Sequence, residues 1–155
     1  MSRIARTSFL LTERRDHLER LRSRLEGLVS HLVVLRGGMS SSERRLADMA
    51  LQSDNGGRLV LATGRYLGEG FDDPQLDTLF LTMPISWKGT LAQYVGRLHR
   101  EHRGKSQVVV YDYIDAAVPV LTRMAAKRQA GYRSLGYVIE TLDRNHPTMM
   151  LTSAA

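Results

Sequence analysis

The chain has no cysteine among its 155 residues, which excludes a disulfide framework and a thiolate metal site. Lysine is scarce as well: 19 of the 22 cations are arginine. No run approaches the roughly 18 consecutive apolar residues that would span a bilayer, and the start Ser2-Arg3-Ile4-Ala5-Arg6 lacks the apolar core of a signal peptide. A soluble, cytoplasmic protein with no membrane partner is therefore expected. A P-loop is missing too. The pattern G-x-x-x-x-G-K-[ST] is approached only at Gly104-Lys105-Ser106, where His99 occupies the place of the first glycine. That segment also follows a predicted helix and precedes a predicted strand, the reverse of the P-loop's context. No Asp-Glu-x-His-like box ends an apolar run, and His99 with His102 lacks a convincing third ligand, so no metal site is expected. No G-x-G-x-x-G follows any strand, which argues against an ordinary dinucleotide-binding enzyme.

What the chain does have is a hydrophobic fraction of 43%, enough for one buried core at this length. One domain is expected over residues 1–145, followed by a C-terminal tail at 146–155. The net charge of +6 and a pI near 10.1 suit an anionic partner such as nucleic acid, because clustered cations release counterions from a phosphate backbone. An ordinary solvated surface, or an arginine bias set by genome composition, gives the same numbers.

Apolar runs alternate with helical patterns along the chain. Thr7 to Thr12 reads as a strand, and Glu13 to Ser30 carries Leu18, Leu21, Leu25 and Leu28 at helical spacing, a stripe better suited to a core than to a coiled coil. His31 to Leu35 is a second strand ending at Gly37-Gly38, and Ser40-x-x-Glu43 predicts a capping box for a helix holding Leu46, Met49 and Ala50. Leu59 to Ala62 and Thr78 to Met83 are further strands, with a helix predicted from about Thr90 to Glu101. Gln107 to Tyr113 is a fifth strand, and Asp115 is placed to cap a last helix with Val118, Leu121, Met124 and Ala125 inward. Arg123, Lys127, Arg128 and Arg133 on that helix read as a solvated face, and Gly136 to Thr141 fits strand or helix. Continuous apolar strands, each followed by a helix, imply a mainly parallel sheet covered on both faces. Ligands of such sheets bind beyond the carboxyl ends of the strands, where the loops at Thr12, Gly37, Thr63 and Met83 are expected to meet.

Two segments carry the most chemistry. Gln93-Tyr94-Val95-Gly96-Arg97-Leu98-His99-Arg100 puts Gln93, Arg97 and Arg100 at three- and four-residue spacing on one side of the predicted helix, and paired guanidiniums suit a polyphosphate. Ala62-Thr63-Gly64-Arg65-Tyr66-Leu67-Gly68-Glu69-Gly70-Phe71-Asp72 follows a strand directly. Its glycines let backbone approach a ligand, Thr63 offers a hydroxyl and an amide to a phosphate, and Asp72 offers an acceptor to a ribose.

In this order, A-T-x-x-x-x-x-x-G-x-D and then Q-x-x-G-R-x-x-R resemble motifs V and VI of superfamily 2 helicases. Phe9-Leu10-Leu11-Thr12-Glu13-Arg14-Arg15 looks like motif IV, and Leu35-Arg36-Gly37-Gly38-Met39 with Glu43-Arg44 resembles the motif beside it. The resemblance spans roughly residues 7 to 115. It implies an α/β RecA-like lobe of three layers, the C-terminal of the two that clamp ATP and track along nucleic acid. It further implies that Arg97 and Arg100 face the γ-phosphate, with Arg100 as the arginine finger, and that Gln93, Gly70 and Asp72 contact the nucleotide. Thr12, Gly37 and Thr63 would touch a nucleic-acid backbone, of DNA rather than RNA, without sequence specificity. ATP and Mg2+ would be shared with a P-loop-bearing lobe supplied in cis or trans, and alone the chain would not hydrolyse ATP. The first strand begins almost at the N-terminus, which fits half of a motor. A solitary module that grips nucleic acid or docks on a protein, its motifs kept for structure, is the alternative.

Overall fold

The structure is a computed structural model that describes residues 7–53, 56–67, 71–85, 89, 91–142 and 148–154. The chain falls into two compact units, Met1–Asp72 and Asp73–Ala155. The first unit pairs only parallel strands, and the second combines one parallel with two antiparallel pairings. Strands and helices alternate along most of the chain, so the α/β class expected from the sequence holds.

The first unit contains β1 (Thr7–Thr12), α1 (Arg15–Leu25), β2 (Leu32–Leu35), α2 (Ser41–Gln52), β3 (Leu59–Thr63) and α3 (Gly64–Leu67). Its strands lie in the order β2-β3-β1, all parallel, with Leu35 opposite Ala62 and Thr12 opposite Thr63. Leu10 and Leu11, like Val60, Leu61 and Ala62, are buried at successive positions, and since neighbouring side chains point to opposite faces, both faces are covered. Helix α1 is shorter than its leucine stripe. It ends at Leu25, and Gly27 follows with φ +83°, a conformation that stops a right-handed helix. Leu18 is fully buried, whereas Leu28 is 80% exposed. The capping box at α2 forms as expected: Ser40 Oγ accepts from the Glu43 amide, and the Glu43 carboxylate accepts from the Ser40 amide. Ala47 is buried, whereas Leu46 and Met49 are exposed.

The second unit contains β4 (Leu76–Leu81), α4 (Ala92–Leu98), β5 (Gln107–Tyr113), α5 (Pro119–Ser134), β6 (Val138–Thr141) and β7 (Thr148–Ala154), with strand order β4-β5-β7-β6. β4 and β5 are parallel, and β7 runs antiparallel to both β5 and β6. Residues 148–154, assigned by the sequence to a tail, thus form a strand whose buried Met149 and Leu151 alternate with half-exposed neighbours. Within segment 136–141, open between strand and helix, Val138–Thr141 forms β6. Helix α5 begins at Pro119 with no side-chain cap, and Asp115 accepts from the Ala117 amide within the preceding turn. It ends in a Schellman motif: the Tyr137 amide donates to Tyr132 O (3.1 Å) and the Gly136 amide to Arg133 O (3.0 Å), with Gly136 at φ +85°.

Candidate functional site

In the first unit the three residues expected to touch nucleic acid come to one edge. Thr12 and Thr63 end adjacent parallel strands in register, and Gly37 lies two residues past the end of β2. Helices α1, α2 and α3 all begin on this edge, so their amide-rich ends add positive potential there. The three positions differ in accessibility. Gly37 is exposed and Thr63 half-buried, but Thr12 is 1% exposed and its hydroxyl shares a 2.7 Å hydrogen bond with His17 Nδ1. The side chain of Thr12 is therefore withdrawn from the edge.

Arg15, which the sequence did not single out, donates from Nη2 to Gly37 O at 2.7 Å and ties the start of α1 to the turn after β2. A Cβ at Gly38, whose φ is +76°, would sit 3.0 Å from the same nitrogen, so the Gly37-Gly38 turn is shaped around this guanidinium. Arg44 lies over the Tyr66 ring, 5.7 Å from its centroid. Phe71 packs against the buried Phe9 ring at 5.6 Å and anchors the segment leading to exposed Asp72. Gly70, expected to contact nucleotide, lies outside the described residues.

In the second unit Gln93 is exposed on α4 and Arg97 half-buried. The helix is shorter than predicted. It stops at Leu98, so Arg100 stands in the turn beyond the C-cap residue His99 rather than on the helix itself. That last turn is tightened, with the His99 amide donating to Gly96 O and the Arg100 amide to Arg97 O (3.2 and 3.3 Å). Arg100 is exposed. Guanidinium groups suit a phosphate and repel a cation. Among the described residues no three His, Asp or Glu side chains gather to hold a metal ion.

A cleft of about 670 Å³ opens at the carboxyl ends of β4 and β5, lined by Thr82, Met83, Tyr113, Asp115 and Leu121. Behind it is an ion pair that the sequence reading missed. Arg128, read as part of a solvated face, is 2% exposed and forks onto fully buried Asp112, Nε to Oδ2 at 2.7 Å and Nη2 to Oδ1 at 2.8 Å. Its third nitrogen donates to Ile85 O at 2.7 Å, and the Tyr132 hydroxyl donates to Asp112 Oδ2 at 3.3 Å. Burial pushes the Asp112 carboxyl above its ordinary value, against the guanidinium and phenol that hold it down. Two signals pointed here. A carboxylate inside the run Val108-Val109-Val110-Tyr111-Asp112-Tyr113 requires a cation, and Ala125, Arg128 and Tyr132 share one helical face.

No protein-family model matches the sequence. Uncharacterized protein 108L of Invertebrate iridescent virus 3 is 30% identical over 79 residues, which cover 51% of this chain and 71% of that protein. The chain belongs to the family of protein 108L. Solved structures extend the likeness to the fold. T4 UvsW matches with a TM-score of 0.63 at 18% identity, covering 84% of this chain and 29% of that one. The C-terminal part of the Fun30 ATPase domain matches with a TM-score of 0.60 at 16% identity, covering 77% and 39%. The chain thus spans well under half of either solved chain, and at these identities the shared property is the RecA-like α/β fold. Among the described residues no helix is long and apolar enough to cross a membrane.

Proposed function

We propose that this chain is the second motor lobe of an ATP-dependent superfamily 2 helicase or translocase, joined in cis or in trans to a lobe that carries the P-loop. One observation carries the proposal: a lobe with the fold of the C-terminal part of an ATPase domain presents Gln93, Arg97 and Arg100 on and just past one short helix, in the order Q-x-x-G-R-x-x-R. ATP, held with Mg2+ by the other lobe, would supply the phosphoryl group whose transfer to water drives the cycle. Arg100 stabilises the charge that builds on that group, a contribution of about 10³–10⁵ in rate, or roughly 4–7 kcal/mol. Arg97 assists from the helix, Gln93 orders the site, and Asp72 with Gly70 contacts the nucleotide. Thr63, Gly37 and the Thr12 backbone grip the phosphates of a DNA strand.

Two measurements test this. The purified chain should show no ATPase activity above background, and turnover should appear once a P-loop lobe is joined to it. Robust turnover by the chain alone sinks the half-site account. Single-stranded DNA affinity falls with salt at a log–log slope of about −2, since three phosphate contacts contribute roughly −0.7 each. A slope twice as steep points instead to a dedicated binding module.

A further inference from the structure

The turn that carries Arg100 is held by groups remote from it in sequence. His99 Nε2 and the Tyr137 hydroxyl share a 2.9 Å hydrogen bond, and their rings meet edge to face at 82° with centroids 5.4 Å apart. Tyr137 is 4% exposed. It reaches His99 because the Schellman turn at Gly136 directs the chain back from the end of α5, and it packs on Tyr132, 5.9 Å between centroids. Tyr132 in turn is bonded to the Asp112–Arg128 pair. Lys105 supplies a second tie, donating from Nζ to Arg100 O at 2.9 Å and to Pro74 O at 3.4 Å.

We propose that Tyr137, acting through His99, and Lys105 are positioning residues that lock the turn bearing Arg100. This rests on the finger role assigned to Arg100 above. The physical need is clear from α4 itself. A seven-residue helix has little stability of its own and frays at its end, while a transition-state contact misplaced by about 1 Å can cost up to 10²-fold in rate. Residues 99 and 100 are neighbours, so a hydrogen bond on the His99 ring limits where the next Cα can go. Lys105 fixes the following carbonyl. Together they constrain both peptide planes around Arg100.

Tyr137→Phe tests the lock, because the ring, its Tyr132 contact and the Schellman turn remain while the hydroxyl is lost. In the full chain, the backbone amide order parameter of Arg100 should fall from near 0.85 to below about 0.6. In the motor formed with a P-loop lobe, kcat should drop about tenfold or more with KM for ATP within about twofold. His99→Leu should behave alike, whereas His99→Gln, whose amide can reach the same hydroxyl, should keep turnover within about threefold of wild type. That pair decides the matter should Tyr137→Phe fold poorly. An Arg100 amide as ordered in the variant as in wild type overturns the lock. So does a loosened turn with undiminished kcat in a motor that Arg100→Ala disables. If Arg100→Ala itself leaves turnover intact, the finger role fails while the loosening still upholds the lock.

Discussion

Removing the guanidinium of Arg128 should be among the most damaging single changes to this chain, although a helix face rich in arginine gives no such warning. The side chain is 2% exposed and donates three hydrogen bonds of 2.7–2.8 Å, two of them to the fully buried carboxylate of Asp112. Arg128→Ala leaves that carboxylate desolvated with only the 3.3 Å bond from Tyr132, and leaves Ile85 O without this donor. Breaking a buried pair in this way costs about 3–5 kcal/mol. For a chain of this size that corresponds to a fall in Tm of roughly 6–20 °C. Replacing both partners by apolar residues, as in Arg128→Met with Asp112→Leu, should recover most of the loss, because no charge is then stranded. The pH dependence has a defined sign. Without Arg128 the folded pKa of Asp112 rises further above its unfolded value, so the stabilising contribution is present at low pH and lost as pH rises through the folded pKa. The deficit of the single variant should therefore shrink as pH falls from 7 toward 4. Denaturant unfolding of the Arg128→Ala variant and the double variant across that range measures it. An Arg128→Ala chain within about 0.5 kcal/mol of wild type at pH 7 would refute the buried-pair account.

Two further outcomes follow from the same geometry. Burial, with help from the Lys105 ammonium, pushes the His99 imidazole below its ordinary value of 6.5, so its contribution to stability is present above about pH 6.5 and lost as pH falls through the lower folded pKa. His99→Gln should flatten the fall in stability between about pH 7 and 5, and an unchanged slope in urea titrations counts against that burial. Thr63→Ala, at the carboxyl end of β3, should weaken single-stranded DNA binding about two- to tenfold and equally for unrelated sequences. A loss confined to some sequences would contradict backbone contact.

Much of the fold was legible because parallel strands buried on both faces are continuous apolar runs, and β1 and β5 fall where those runs predict. The C-terminal strand escaped notice since β7 is antiparallel and alternates, a fainter pattern than an apolar run, with Met149 and Leu151 its only fully buried side chains. Helix lengths were overread where an apolar stripe outran the helix: Leu28 lies beyond the stop at Gly27, and Arg100 beyond the end of α4. The candidate site residues stand out as motifs, whereas the side-chain partners seen in the structure do not. Arg15 reaching Gly37, Tyr137 reaching His99 and Arg128 reaching Asp112 join positions 22, 38 and 16 residues apart, and only the packed strands bring such positions together. Thr12 shows the converse, a motif position whose hydroxyl the fold turns inward to His17.

The central claim is that Arg100 completes an ATP site held by another lobe, and the kcat of Arg100→Ala in the motor assembled with a P-loop lobe tests it most directly. The account predicts a fall of at least ~10³ with the fold of the variant unchanged. Turnover within a few fold of wild type would contradict it.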